Sequence, residues 1–310
     1  SDVKLKKKIY VLLQGRIGNQ LFIYAFARAV SLQYNDEIEI IIDDSEIVKC
    51  NWENSLLNYN LQNLIYIHEN QLSKLYGFKK QYWIRKIFRL IIRNKSYMKK
   101  YKLERIFQRF LNQNGLIMCE NGFLNVNVNI KCNQYIEGFF QSDKYFSEVK
   151  KNILNDLNPR QFNELENYPN IAMIRERNTI CISIKVEHNV GNSLYDVCSK
   201  DYWEKAIGYI LKRVENPVFF ICSDNVDYVI THLIDTNKYD CVFQDLTFPA
   251  HISLSAMAEC KHFIIGNTSF GWWAQYLSSY KDKIVIAPSR WMNVDMPIDI
   301  YQDDWILIDC

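Results

Sequence analysis

Two short stretches carry residue types suited to chemistry on a phosphate. Gly15-Arg16-Ile17-Gly18-Asn19-Gln20 places two glycines around a guanidinium, directly after the apolar run Ile9-Tyr10-Val11-Leu12-Leu13. Glycine lets a backbone approach a ligand closely, the first N–H groups of a following helix attract anions, and Arg16 offers a two-pronged donor. The same spacing also arises where a βα turn only needs positive φ. It is neither Gly-x-Gly-x-x-Gly nor a Walker loop, so dinucleotide oxidoreduction and P-loop hydrolysis lose support. The second stretch is Gly266-Asn267-Thr268-Ser269-Phe270-Gly271-Trp272-Trp273. Thr268 and Ser269 stand where a helix N-cap would, so their hydroxyls either cap the helix or, with its free N–H groups, hold a pyrophosphate. Trp272 and Trp273 read as core.

Both stretches follow an apolar run and precede a helical pattern, the position at which open α/β sheets bind ligands. After the first, Phe22, Ala25, Phe26, Ala29 and Val30 recur at helical spacing, and Ile38-Glu39-Ile40-Ile41-Ile42-Asp43 follows as a strand. The opening third is therefore β-α-β. The C-terminal half alternates again: strands at Ile180-Cys181-Ile182-Ser183-Ile184, Val218-Phe219-Phe220-Ile221-Cys222, His262-Phe263-Ile264-Ile265 and Ile284-Val285-Ile286-Ala287, with helices at 201–212, 253–260 and 270–277. Asn158-Pro159-Arg160 and Tyr168-Pro169-Asn170 break the pattern, giving domains 1–157 and 158–310.

A chain of 310 residues, 48% apolar, can bury a large core, which excludes disorder, collagen and coiled coil. A net charge of +2 gives no global pull toward nucleic acid. Nine cysteines never come as close as Cys-x-x-Cys and mostly sit in apolar runs, so buried free thiols in a reducing cytosol are expected. Five histidines form no zinc-like cluster, and no metal is expected. No signal peptide or membrane span is apparent. Residues 79–110 stand apart. They carry Lys or Arg at 79, 80, 85, 86, 89, 93, 95, 99, 100, 102, 105 and 109 against the single acid Glu104. Ile84, Ile87, Phe88 and Ile91 make one stripe, flanked by Tyr82, Trp83 and Tyr97. Such a segment either lies on an anionic membrane surface or packs its stripe onto its own domain; no motif supports nucleic-acid binding.

Gln14-Gly15-Arg16-Ile17-Gly18-Asn19-Gln20-Leu21-Phe22-Ile23-Tyr24-Ala25-Phe26-Ala27-Arg28-Ala29 closely resembles the N-terminal signature of the α-1,2-fucosyltransferases, inverting glycosyltransferase family 11. Further marks follow in order: Gly138-Phe139-Phe140-Gln141-Ser142-Asp143-Lys144-Tyr145-Phe146, Phe220-Ile221-Cys222-Ser223-Asp224, Asn267 to Trp273, and the ending around Trp291 and Trp305. The resemblance implies an α/β, GT-B-like fold of two Rossmann-type domains facing a cleft. It also implies no cofactor or obligatory metal, a nucleotide-sugar co-substrate (GDP-fucose first) and a glycan acceptor. By position, Asp224 would meet the base or ribose, while Thr268, Ser269 and Phe270 would surround the phosphates, with Ser223 and Asn267 as further nucleotide-sugar-binding candidates. Arg16 and Asn19 would face the cleft from the other domain, with Gly15 and Gly18 as further nucleotide-sugar-binding candidates in the same turn. Asp224 equally suits a helix cap.

One segment departs. Where the family carries H-x-R-R-G-D-Y, this chain has Ser183-Ile184-Lys185-Val186-Glu187-His188-Asn189. A guanidinium grips pyrophosphate bidentately and an ammonium does not, so leaving-group stabilisation falls to Arg16, Lys185 and helix amides. Glu187 and His188 are candidate bases for the acceptor hydroxyl. The expected reaction is inverting sugar transfer to an oligosaccharide or lipid-linked glycan in bacterial surface polysaccharide synthesis, in the cytoplasm or at the inner membrane face. The alternatives are a UDP- or dTDP-sugar donor, and a non-catalytic nucleotide- or glycan-binding protein.

Overall fold

The structure is a computed structural model, and it describes residues 5–61, 64–69, 78–158 and 162–310. The chain divides into unit 1, Ser1–Asn158 with Asp295–Tyr301, and unit 2, Pro159–Val294 with Gln302–Cys310. The break expected at Pro159-Arg160 lies outside the described residues.

Unit 1 holds five strands, β1 (Lys7–Leu12), β2 (Ile38–Asp43), β3 (Leu64–Ile67), β4 (Leu116–Cys119) and β5 (Gln134–Gly138). They pair in parallel in the order β3-β2-β1-β5-β4. Between β1 and β2 runs α1, Ile17–Tyr34. Its first eleven residues are buried on nearly every face, Asn19 excepted, so the one-sided stripe read from the sequence is too narrow. Ala29 of that stripe is only half-buried, while Tyr24 is buried and donates to Asp156 at 2.8 Å. Gly138 is required by strand pairing: a Cβ there would stand 2.1 Å from the Cys119 carbonyl oxygen.

The basic segment is two helices rather than one, α2 (Lys79–Ile92) and α3 (Tyr97–Gln113). Ser96 separates them, its hydroxyl capping α3 by accepting from Lys99 N. Its expected stripe is also divided. Phe88 and Ile84 join the core with Tyr10, Leu12, Leu116 and Tyr135, whereas Ile87 and Ile91 face out.

Unit 2 holds β6 (Thr179–Ile184), β7 (Val218–Ser223), β8 (Cys241–Phe243), β9 (His262–Ile265), β10 (Val285–Pro288) and β11 (Ile306–Ile308). All are parallel, in the order β11-β10-β9-β6-β7-β8. The helices α4 (Lys200–Leu211), α5 (Ala250–Ala258) and α6 (Ser269–Leu277) fall close to where periodicity put them. The central strands β6 and β7 are buried along their whole length, as continuous apolar runs in a covered parallel sheet should be. Trp203, Trp272 and Trp273 are core. Of the nine free cysteines four are buried and three half-buried, while Cys50 and Cys310 are exposed.

Candidate functional site

Each sheet reverses its strand order once, between β1 and β5 in unit 1 and between β6 and β9 in unit 2. Loops leaving the two strands at such a point part to opposite sides, and the crevice at their carboxyl ends is where ligands bind. In both units a side-chain hydrogen bond spans that reversal.

In unit 1 the β1 turn begins at Gly15, whose φ of +72° is left-handed. A Cβ there would collide with the Asn19 side chain, at 2.6 Å from Nδ2. Arg16 is the N-cap residue of α1 with extended backbone, and its side chain is exposed, the guanidinium 5.7 Å from the Trp52 ring centroid. Gly18 is buried in the first turn. Asn19 Oδ1 accepts from Gln141 Nε2 at 2.7 Å, bridging the β1 and β5 loops. Gln20, fully buried, fixes the turn by donating to Gly15 O and Glu53 O, each at 2.9 Å, while accepting from Ser55 N at 2.8 Å. Gln20 and Gln141 lay inside recognised motifs, yet only the fold reveals their bracing roles. Gln14 Nε2, beside the turn, is buried with no acceptor among the described residues.

In unit 2 the β6 and β7 ends are locked together. Asp224 Oδ1 accepts from Val186 N at 2.8 Å, and Oδ2 accepts from Glu187 N at 3.2 Å and pairs with Lys185 Nζ at 3.0 Å. Glu187 Oε1 accepts from Asn225 Nδ2 at 3.1 Å, and buried Ser223 accepts from Asn225 N through its hydroxyl. Asp224 is thus neither a helix cap nor an uncommitted ribose ligand; it clamps the β6 loop and neutralises Lys185. Val186 stands where the resembled motif has arginine, and its side chain is buried in the core, so that charge is absent from the loop. His188 is exposed with φ of +68°, a conformation costly for a residue with a Cβ. Its ring is outside the Lys185–Asp224–Glu187 cluster.

The β9 loop is equally committed. Asn267 Nδ2 donates to Tyr195 O and Trp291 O, both at 3.0 Å, and its Oδ1 accepts from Asn189 Nδ2 at 3.3 Å, bridging the β6 and β9 loops. Asn267, a nucleotide-sugar-binding candidate by sequence, thus has its side-chain amide engaged in bracing these loops. Thr268 caps α6, accepting from Gly271 N at 2.9 Å. The N–H groups of Ser269 and Phe270, in the first helical turn, have no acceptor one turn earlier in the helix and carry the positive end of its dipole. Gly271 brings α6 close to β6, since a Cβ would stand 2.8 Å from Ser183 Oγ. The crevice lined by Lys185, Asn189 and Asn267 holds only about 10 Å³. Among the described residues no group of His, Cys, Asp and Glu could hold a metal ion.

The sequence matches the profile of glycosyl transferase family 11 over residues 8–309. The chain belongs to that family. As a family 11 glycosyltransferase it is 25% identical to the O-antigen biosynthesis glycosyltransferase WbnK of Escherichia coli, with 96% of this chain and 99% of WbnK covered. It is 24% identical to an α-1,2-colitosyltransferase of Escherichia coli, covering 96% and 97%. Its fold is similar to the α-1,6-fucosyltransferase NodZ of Bradyrhizobium soaked with GDP-fucose, at TM-score 0.52 and 13% identity over 88% of this chain and 93% of NodZ. A variant of Arabidopsis thaliana FUT1 in complex with GDP gives TM-score 0.51 and 10% identity over 91% and 70%. The two parallel α/β sheets of the family 11 chain are accordingly GT-B-like.

Proposed function

We propose that this glycosyltransferase moves a deoxy-sugar from a nucleoside diphosphate to a hydroxyl of a bacterial surface glycan, with inversion and without a metal. The supporting observation is the α6 N-terminus at the unit 2 reversal point, with first-turn amides left over once Thr268 has taken Gly271 N. Amides and dipole there suit the diphosphate of the donor. GDP-fucose is the first choice of donor, since the structural neighbour NodZ was solved with it. The colitosyltransferase relative indicates that sugars other than fucose serve among relatives.

In this reading the acceptor oxygen attacks the anomeric carbon as the bond to the β-phosphate oxygen breaks, and the hydroxyl proton passes to a carboxylate or imidazole. Glu187, oriented by Asn225, suits the base better than His188, whose ring the cluster does not hold. Arg16 is the exposed cation that unit 1 offers to an anionic substrate group. WbnK is named for O-antigen synthesis, which supports an oligosaccharide or lipid-linked glycan acceptor at the inner face of the plasma membrane. The closed β6 crevice, the buried Val186 and the Lys185–Asp224 pair favour one second reading, a protein that binds nucleotide or glycan without turnover.

GDP-, UDP- and dTDP-sugars screened by melting shift and by release of nucleoside diphosphate test this. A GDP-selective shift with release, and an inverted anomeric centre by NMR, are expected. Selectivity for UDP or dTDP overturns the donor, and a shift without release supports the binding protein. Arg16→Ala should lower turnover by about 100-fold at unchanged melting temperature; near-normal turnover removes Arg16 from the reaction.

A further inference from the structure

The hairpin of α2 and α3 presents an outward face that the glycosyl-transfer chemistry does not use. Trp83, Ile87, Leu90 and Ile91 follow one another at four-, three- and one-residue steps and are 51, 56, 61 and 41% exposed. On α3, Ile106 and Phe110 are 70 and 52% exposed, with Lys99, Lys102 and Arg109 exposed around them. The only acid in either helix, Glu104, is buried, so no negative charge opposes the basic residues on this face of the hairpin.

A cavity of about 510 Å³ opens beside the α2 stripe. Arg85, Lys86, Arg89, Arg93 and Lys100 line it, with apolar contributions from Leu90 and Ile92. Glu137 takes Arg85 in two hydrogen bonds, at 2.6 and 3.1 Å, and pairs with Arg89. Glu120 is the one acid lining the cavity. Five cations against these two carboxylates leave an excess of three positive charges, and Arg89 Nε is buried without a partner among the described residues. At about 100° of rotation per residue the cavity face and the apolar face of α2 adjoin, with Leu90 and Lys86 at the seam. Lys86 Nζ lies 5.0 Å from the Trp83 ring, and Lys100 Nζ 5.5 Å from that of Tyr97.

We propose that this hairpin docks on an anionic lipid bilayer, the exposed stripe entering the headgroup layer and the basic cavity taking a lipid phosphate. Charge selects the occupant. A protein partner would have to cover an apolar stripe ringed by cations, whereas a phospholipid surface supplies phosphate and acyl chain at the same spacing of layers. The arrangement depends on unit 1 alone and holds whichever sugar is transferred.

Sedimentation with vesicles tests it. The protein should pellet with phosphatidylcholine vesicles containing phosphatidylglycerol and stay in solution with phosphatidylcholine alone. Brominated lipid in the mixed vesicles should quench fluorescence that Trp83→Phe removes. Reversing Lys86, Arg93 and Lys100 to Glu should weaken binding by at least about thirtyfold. Changing Ile87, Leu90 and Ile91 to Ser should weaken it by about tenfold or more. These positions are solvent-facing, so a melting temperature within the wild-type range checks that folding is intact. Wild-type protein left in solution by phosphatidylglycerol vesicles, equal binding to both vesicle types, or full binding by the charge-reversed variant would each overturn the proposal.

Discussion

Asp43, Asp44, Glu104 and Glu137, each at most 2% exposed, all lie in unit 1, whereas unit 2 buries hydroxyls, imidazoles and amides among its described residues. The strand ends of the two units follow one plan with different chemistry. In unit 1, Asp43 accepts from Ser45 N and the Tyr135 hydroxyl, Asp44 meets His68 at 2.8 Å, and Glu137 holds two arginines. In unit 2 the corresponding ends are stitched by Asn267, Thr268 and Ser223, and the ion pair found there, Lys185–Asp224, is part-exposed. Buried ions are expensive unless paired, so unit 1 depends on its charge state, while the strand ends of unit 2 are held mainly by neutral hydrogen bonds.

Breaking the Glu137 pair should have the largest effect. Glu137→Ala removes the buried carboxylate shared by Arg85 and Arg89 and leaves the two part-buried guanidiniums opposed, where burial and the neighbouring Arg85 already lower the Arg89 pKa. A loss of about 4 kcal/mol is expected in chemical denaturation; a loss comparable to an exposed ion pair would end the contrast between the units.

The next effect is pH-dependent. Burial pushes Glu104 from 4.5 up to about 7, although Glu120 N and Asn121 Nδ2 donate to it. The folded state therefore binds the proton more tightly than the unfolded chain. That favours folding below about 4.5 and is lost as pH rises through about 7. Burial shifts Asp43 in the same direction. His262 in unit 2 works oppositely: its Nδ1 accepts from Ile284 N, burial lowers its pKa, and its contribution is lost as pH falls below 6.5. Glu104→Gln should flatten the pH dependence of unit 1 unfolding by on the order of 3 kcal/mol between those limits, and should be no less stable than wild type at alkaline pH. An unchanged pH profile would place the proton elsewhere.

Asn267→Ala should cost about 2 kcal/mol by orphaning the Tyr195 and Trp291 carbonyls. Amide exchange should rise around 189–198 while the β1 turn stays protected. If both turns loosened together, the reversal points would not be separately braced.

The sheets were legible where strands are long and uniformly apolar, as in Val218–Ser223 and Thr179–Ile184. Strand β5 was not, because Gln134 and Glu137 interrupt its pattern. Glu137 is tolerated there only through arginines 52 and 48 residues away in the chain, partners that no local window contains. The division of the Ile84–Ile91 stripe was hidden for a related reason: helical spacing says which residues align, but packing decides which side of the helix is covered. The glycine turn and the α6 cap could be placed from residue type and spacing, whereas the commitments of Asp224 and Asn267 required the loops that bind them. Motif position named both residues without showing that their polar atoms were already occupied.

Unit 1 also borrows a late piece of chain. Asp299, within Asp295–Tyr301, accepts from Phe123 N at 2.6 Å, beside Gly122, where a Cβ would stand 2.5 Å from the same carboxylate. The clasp on the first unit therefore waits for residue 299, although its last strand ends at Gly138. A chain that lacks residues 295–301 leaves that loop unclasped, so the closing contact of the N-terminal half comes from a segment far outside its own sheet.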